Sequence, residues 1–390
     1  MTEPRGSNAL AGGPRACNRR VARLCLTVLA LAGCVGFWPR SAPSADLSAI
    51  RLPPGFAIEL FAKDLGNARF MTLDPRGTLL VSVPRSGRVI ALPDDNGDGQ
   101  ADGALPVVEG LELPHGLAFL EGKLYVAETG RVLRFDYDPA TRHVRGAPTI
   151  VVPDLPARGQ HWTRTITFGP DRRLYVSAGS SCNSCEERDA RRAAITRYDL
   201  DGRSSTAFGT GLRNAVGIAF RPGTPELWAT VNGRDWLGDD RPSEYVTRID
   251  EGGFYGWPYC HWTPAGPVVD PDLGGADRCK TARRPSFLYQ AHSAPLGLAF
   301  YTGSQFPPEY RGDLFVALHG SWNRAVPVGY KVIRVRLGGT TPVGEDFATG
   351  WLVGGRSWGR PVDLAVAPDG ALYVSDDSLG AVYRIIYRSR

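Results

Sequence analysis

MTLDPRGTLLVSV from Met71, followed by GRVIAL from Gly87, reads as an aliphatic strand, a turn built on Asp, Pro and Gly, a second strand, and a third. The unit returns as HGLAFLEGKLYVAE from His115 with GRVLRF from Gly130, and as RTITFGPDRRLYVSAG from Arg164 with AITRYDLDG from Ala194. It returns again as VGIAFRPGTPELWATV from Val216 with YVTRID from Tyr245, and as LGLAFYTG from Leu296 with GDLFVAL from Gly312 and YKVIRVRL from Tyr330. The last copy is VDLAVAPDGALYVSD from Val362 with GAVYRIIY from Gly380, which makes six. A repeat of this length with strand alternation predicts an all-β, six-bladed β-propeller, because each unit can bury its apolar face only against a neighbour. Phe56-Ala-Ile-Glu-Leu-Phe61 precedes the first copy and is placed to complete the last blade. Residues 251–290 form the longest gap between units and predict a long excursion over one face.

The totals agree. The chain has 390 residues, with 47 Gly and 31 Pro spread throughout, as many short strands joined by turns require. A formal charge of +5 with no basic stripe interleaved with aromatics argues against nucleic acid as a partner. Arg15, Arg19, Arg20 and Arg23 before the apolar run Leu24–Gly33 read as an export signal, so residues 1–45 are expected to be signal and linker and 46–390 the propeller. Three processing readings stand open, a lipoprotein box with Cys34 lipidated, a small-residue site at Ala42-Pro43-Ser44-Ala45, and a retained, uncleaved anchor. The expected location is therefore the periplasm, or the outer membrane through a lipid, with membrane contact only through an N-terminal lipid or anchor. Outside the signal the cysteines are Cys182, Cys185, Cys260 and Cys279. In an oxidising compartment they suggest two local disulfides, 182–185 and 260–279.

In a propeller the inner strands run along the axis, so the residues just before them gather at one mouth of the channel. Those positions hold Asn67 and Arg69, His115, His161 and Arg164, Arg213 and Asn214, His292 and Ser293, and Arg360. Strand starts ordinarily carry Gly, Ser, Thr or Asp. Three histidines and several arginines instead predict a cationic mouth suited to an anionic ligand with proton chemistry beside it. Trp322 and Trp358 are candidates for stacking on a flat ring.

HWTRTITFGPDRRLYVSAG from His161, GTGLRNAVGIAF from Gly209 and GGFYGWP from Gly252 resemble the pyrroloquinoline-quinone (PQQ) dependent glucose/sorbosone dehydrogenases. SSCNSCEERDARRAAI from Ser180 and HGSWNRAVPVGYKVIRV from His319 are similar to the sorbosone-dehydrogenase-like branch. The resemblance implies PQQ and Ca²⁺ as cofactors and oxidation of an aldose or sugar aldehyde, with electrons passing to an external cytochrome or quinone. It implies His161 as the general base and Arg213 and Asn214 as cofactor ligands, with Arg360 as one arginine of a last-blade pair. Three positions depart from it. Gln160 stands where an Asp often precedes the histidine, which leaves Asp154 or Asp189 to orient the ring. Val362 fills the second arginine slot. The quinone-side lysine has no counterpart, and Asn323, Arg324 and Lys331 stand nearest to its place. The cofactor calcium would fall at Gly233 and Arg234, with Asp239, Asp240 or Glu244 near. Separately, Asp94, Asn96, Asp98 and Asp102 alternate around Gly99 as calcium-loop ligands do. Two other readings stay open: a calcium-dependent lactonase-type hydrolase, which needs carboxylates converging on the axis, and a cofactor-free binding scaffold.

Overall fold

The computed structural model describes residues 45–388. The signal region, including Cys34 and most of the Ala42–Ala45 site, lies outside them.

The chain forms the six blades that the repeat predicts. Their inner strands are Met71–Leu73, Leu117–Leu120, Arg164–Phe168, Asn214–Phe220, Pro295–Phe300 and Pro361–Val366. In each blade the next two strands follow antiparallel, and a fourth lies outside them. The sixth blade takes its outermost strand from the start of the described chain: Phe56–Ala62 pairs antiparallel with Ala381–Tyr387, Ile58 opposite Ile385. Ring closure of this kind leaves no blade face unpaired, and it ties the first strand to the last. Phe56 anchors it. Its ring meets Phe306, Tyr310, Phe347 and Tyr387 with centroids 4.7 to 5.1 Å apart. Phe56→Ala is expected to cost about 3 kcal/mol of unfolding free energy, which guanidinium denaturation of the two proteins would show.

The repeat carried three strands per unit, and the structure adds the outer ones. His143–Val152 shows why they were not legible: most of its side chains are exposed, so no apolar alternation marks it. The excursion between the fourth and fifth blades is ordered. Gly253–Phe254 joins the third blade in parallel, Cys260–Thr263 and Gly266–Val269 form a hairpin, and Phe287–Tyr289 returns as the fourth blade's outer strand.

Three inner strands share one irregularity. The pairing register slips by a residue between Ala215 and Ile218, between Pro295 and Leu298, and between Pro361 and Leu364. A bulge at that point re-aims a side chain. Here Val216, Leu296 and Val362 pack with Phe70 in one buried cluster on the axis. Gly297 is required beside it, since a Cβ there would stand 2.0 Å from an Asp363 carboxylate oxygen. This apolar septum separates two hollows. One is bounded by Arg69, His161 and Arg360, the other by Thr72, Thr167 and Asp363. Val362 thus plugs the channel where the resemblance led one to expect an arginine. Among the described residues no helix is long and apolar enough to cross a membrane.

Candidate active site

The hollow on the arginine side encloses about 670 Å³, part of it open to solvent. Antiparallel pairing explains what lines it. An inner strand begins where its neighbour ends, so Asn214 stands opposite Asn232 and Pro361 opposite Asp376. The mouth therefore collects residues from two positions per blade.

His161, Arg213, Asn214, His292, Asn323 and Arg360 all line it, as expected, together with Arg69. His161 and His292 hold left-handed backbone, φ 55° and 62°. For non-glycine residues this is strained, and such strain gathers at functional sites. The His161 ring is oriented by the main-chain carbonyl of Ser180, 2.8 Å from Nδ1, with the Ser180 hydroxyl at 3.1 Å. Its Nε2 makes no hydrogen bond among the described residues. Burial, then Arg213, pushes the imidazole pKa down to about 3, so the ring is neutral. Asp154 and Asp189 do not supply the missing carboxylate. Both pair with Arg191 instead, at 3.3 and 2.8 Å. Gly179 lets His161 and Asn214 stand together: a Cβ there would lie 2.3 Å from Asn214 Oδ1.

Arg213 is held on every side. Nε donates to the Asn183 carbonyl at 3.1 Å, and Nη2 to Asn183 Oδ1 and Asp235 at 2.9 Å each. Nη1 donates to the Gly233 carbonyl. Four of the guanidinium's donors are thereby engaged, and what it offers a ligand is a fixed positive charge more than a free fork. Arg69 pairs with Asp377, and Arg360 donates to the carbonyls of His319 and Gly320. Asn214 Oδ1, Asn323 Oδ1 and Arg69 Nε are buried without partners. Buried polar atoms are ordinarily satisfied, so three orphans around one hollow mark a place for a polar ligand.

Several expected residues lie elsewhere. His115 is fully buried against Phe70, centroids 4.1 Å apart, with Nδ1 3.2 Å from the Arg164 carbonyl. It belongs to the packing under the mouth, because its strand start is covered by Trp162. Arg324 turns to the Asp239 carbonyl, Lys331 pairs with Asp346, and Trp358 donates to the Gly350 carbonyl and packs on Trp351. Each is satisfied away from the hollow. Trp322 does wall the mouth, edge-on to Trp236.

The expected calcium positions do not present ligand sets. The Gly233 carbonyl accepts from Arg213, the Arg234 guanidinium is buried against Asp270 and Asp272, and Asp240 is 89% exposed beside Arg324. In the 94–102 loop, Asp94 and Asn96 accept the Asp98 and Gly99 amides, and Asp102 accepts the Asp95 amide. Those oxygens cap their own turn. The one close group of metal-ligating side chains among the described residues is Cys182, Cys185 and Glu187, and a disulfide occupies both sulfurs. Cys260 and Cys279 are free, buried thiols in contact, not the expected disulfide. Burial pushes the Cys260 thiol up, away from the thiolate that bond formation needs.

Four mouth residues escaped the sequence reading as site members. His319 Nε2 lies 2.8 Å from Asp377, whose other oxygen takes Arg69. Burial opposes ionisation of Asp377, yet His319, Arg69 and Arg360 together hold its carboxyl below the usual range. Asp235 joins Arg213 to Asn323. Glu244, named only as a neighbour of calcium, is buried and accepts the Ala294 amide at 2.6 Å. Burial pushes its pKa up to about 8. His319 and Asp377 directly follow the second strands Leu314–Leu318 and Leu372–Asp376, and reading that position in every unit would have found them. The carboxyl groups at the mouth, Asp235, Glu244 and Asp377, are all engaged by the protein, unlike the free cluster a lactonase-type metal site needs.

Comparisons with known proteins agree with this fold. Residues 50–388 match the family model described as TrAA12-like. A Borreliella burgdorferi protein of uncharacterised function is 28% identical, over 87% of this chain and 91% of that one. The pyrroloquinoline quinone-dependent pyranose dehydrogenase of Coprinopsis cinerea is also 28% identical, over 85% of this chain. This chain spans only 54% of that protein's length. The structure of its holo PQQ domain superposes with a TM-score of 0.74 at 26% identity, covering 86% of this chain and 97% of the domain.

Proposed function

This chain belongs to the TrAA12-like family, and from that premise we propose that it is a quinoprotein dehydrogenase that binds PQQ at the arginine-lined mouth and oxidises an aldose or sugar aldehyde. One observation carries the reading. A single hollow brings Arg69, Arg213 and Arg360 together with a neutral His161 whose Nε2 is free. The residues fit the cofactor. It carries three carboxylates, and the mouth offers three arginines and orphaned polar atoms at Asn214, Asn323 and Arg69. When bound, PQQ supplies the ortho-quinone that accepts hydride from the sugar carbon.

The protein's own work is placement and proton handling. Ser180 fixes the His161 tautomer with the proton on Nδ1, so Nε2 is the atom that takes the sugar hydroxyl proton. An anion at the mouth offsets the Coulombic pressure of Arg213, which raises the basicity of His161 when it is needed. The septum of Phe70, Val216, Leu296 and Val362 closes the floor against water entering along the axis. Calcium finds no ready ligand set at this mouth among the described residues. Electrons leave to an external acceptor, and sorbosone-type substrates are one class within the sugar aldehydes.

The test is a titration of the protein with PQQ, followed by the quinone absorbance, then dye reduction with a panel of aldoses. Micromolar or tighter binding with sugar-dependent reduction supports the reading, and no binding at these concentrations overturns it. The same titration reads Glu244. Its carboxyl is protonated at neutral pH and loses its proton as pH rises through about 8. A new negative charge among the arginines should then weaken PQQ, about tenfold for a repulsion of roughly 1.4 kcal/mol. Glu244→Gln should remove that alkaline decline, and an identical decline in the variant would clear Glu244 of the effect.

A further inference from the structure

We propose that Asn183, held in the short ring closed by the Cys182–Cys185 disulfide, is the positioning residue that presents Arg213 to the ligand, and that opening the disulfide loosens Arg213 and His161 together. The ligand it names rests on the PQQ reading above.

Asn183 makes five hydrogen bonds, all to residues at or behind the mouth. Its main-chain carbonyl accepts Arg213 Nε at 3.1 Å and the Trp257 indole at 3.3 Å. Its Oδ1 accepts Arg213 Nη2 at 2.9 Å and the Asp235 amide at 2.8 Å. Its Nδ2 donates to the Asp235 carbonyl at 3.1 Å. One residue thus grips the guanidinium through backbone and side chain at once, and holds the segment bearing the carboxylate that pairs with it. Only an amide side chain serves both directions: Oδ1 takes two N–H groups while Nδ2 gives to a carbonyl.

The same loop holds the histidine. The Ser180 carbonyl and hydroxyl meet His161 Nδ1, and the Ser180 hydroxyl also donates to the Cys182 carbonyl at 2.7 Å. Glu187 accepts the Ser181 amide at 2.6 Å and its hydroxyl at 2.7 Å, which ties the loop's two ends. Residues 180–185 are otherwise an irregular connection between the second and third strands of the third blade, Leu174–Ala178 and Ala194–Tyr198. Without a cross-link such a segment samples many conformations, and each one other than this loses the grip on Arg213. The disulfide spans two residues, and Asn183 is one of them. The half-buried ring stands beside the mouth, so a reductant can reach it where it cannot reach a core bond.

The experiment compares oxidised wild-type protein, the same protein after phosphine reduction, Cys182→Ser/Cys185→Ser, and Asn183→Ala. Reduction should expose two additional thiols. Two readouts follow. The PQQ dissociation constant should rise about tenfold or more in the three altered forms, the loss expected for one charge-assisted hydrogen bond. The imidazole Hε1 resonance of His161, assigned by its loss in His161→Ala, should shift or broaden on reduction even with no PQQ present. Asn183→Asp guards against a variant that fails to fold. It keeps the acceptor but loses the Nδ2 donor and adds negative charge at Arg213, and should weaken PQQ while its far-UV circular dichroism stays that of the folded propeller. An unchanged dissociation constant and an unchanged His161 resonance after both thiols appear would overturn the proposal. If oxidised wild-type protein binds no PQQ, the dehydrogenase reading fails, and the His161 resonance alone decides the role of the loop.

Discussion

His161→Ala should lower turnover about a thousandfold while the PQQ dissociation constant stays within about threefold of wild type, since a positioned base contributes on the order of 10²–10⁴ and this ring contributes little to holding the cofactor. The loss would be measured as kcat with saturating PQQ and sugar. Equal loss of PQQ binding would move His161 from proton acceptor to cofactor support. The pH behaviour follows from its surroundings. Burial and Arg213 hold the imidazole near 3 against an ordinary 6.5. It stays neutral, and competent as a base, throughout the physiological range, so no protonation of the free protein's His161 should limit activity between pH 5 and 8. The stability consequence has the opposite sense to that of a salt-bridged histidine. The unfolded chain binds this proton as pH falls through about 6.5 and the folded chain does not until about 3. Stability from this group is present above 6.5 and lost on acidification, and His161→Gln should flatten that part of the acid unfolding curve.

Arg213→Lys should weaken PQQ about a hundredfold although the positive charge is kept. The guanidinium bonds to the Asn183 carbonyl, Asn183 Oδ1, Asp235 and the Gly233 carbonyl in one plane. An ammonium on a flexible stem cannot meet four fixed acceptors, and hydrogen bonds to a charged group are worth about 1.5–3 kcal/mol each. The half-buried Asp235 would lose its guanidinium partner, and its charge would then face the incoming carboxylates. Titration of the variant with PQQ reads the effect directly. Near-wild-type affinity would mean that Arg213 contributes charge alone and that its elaborate support is structural.

Arginines 213 and 360 and histidine 161 could be picked from the sequence because propeller geometry is simple at the inner strand. The residues just before that strand arrive near the axis, and the repeat says where each strand begins. His115 shows the limit of the rule. It occupies the same place in its unit, yet Trp162 and Phe70 cover it and leave it in the core. Whether a strand start is open to the channel depends on the bulk of its neighbours around the ring, which no single repeat contains. Lys331 and Trp358 fail for a related reason: nearness in sequence to a motif gave them a role, while Asp346 and the Gly350 carbonyl take their polar atoms.

The alternation of Leu-Tyr-Val strands and Asp-Gly turns determined by itself that six units fold alike and must close on one another, because that pattern is local and repeats. It also determined the character of the mouth, cationic and histidine-bearing. Tertiary structure alone decided the rest. It replaced a carboxylate by the Ser180 carbonyl behind His161, set Val362 in the axial septum, and joined Asn183 to Arg213. Each of these is a contact between blades or across a loop. Its energy depends on where distant segments arrive once the ring has closed, and no window of sequence holds both partners.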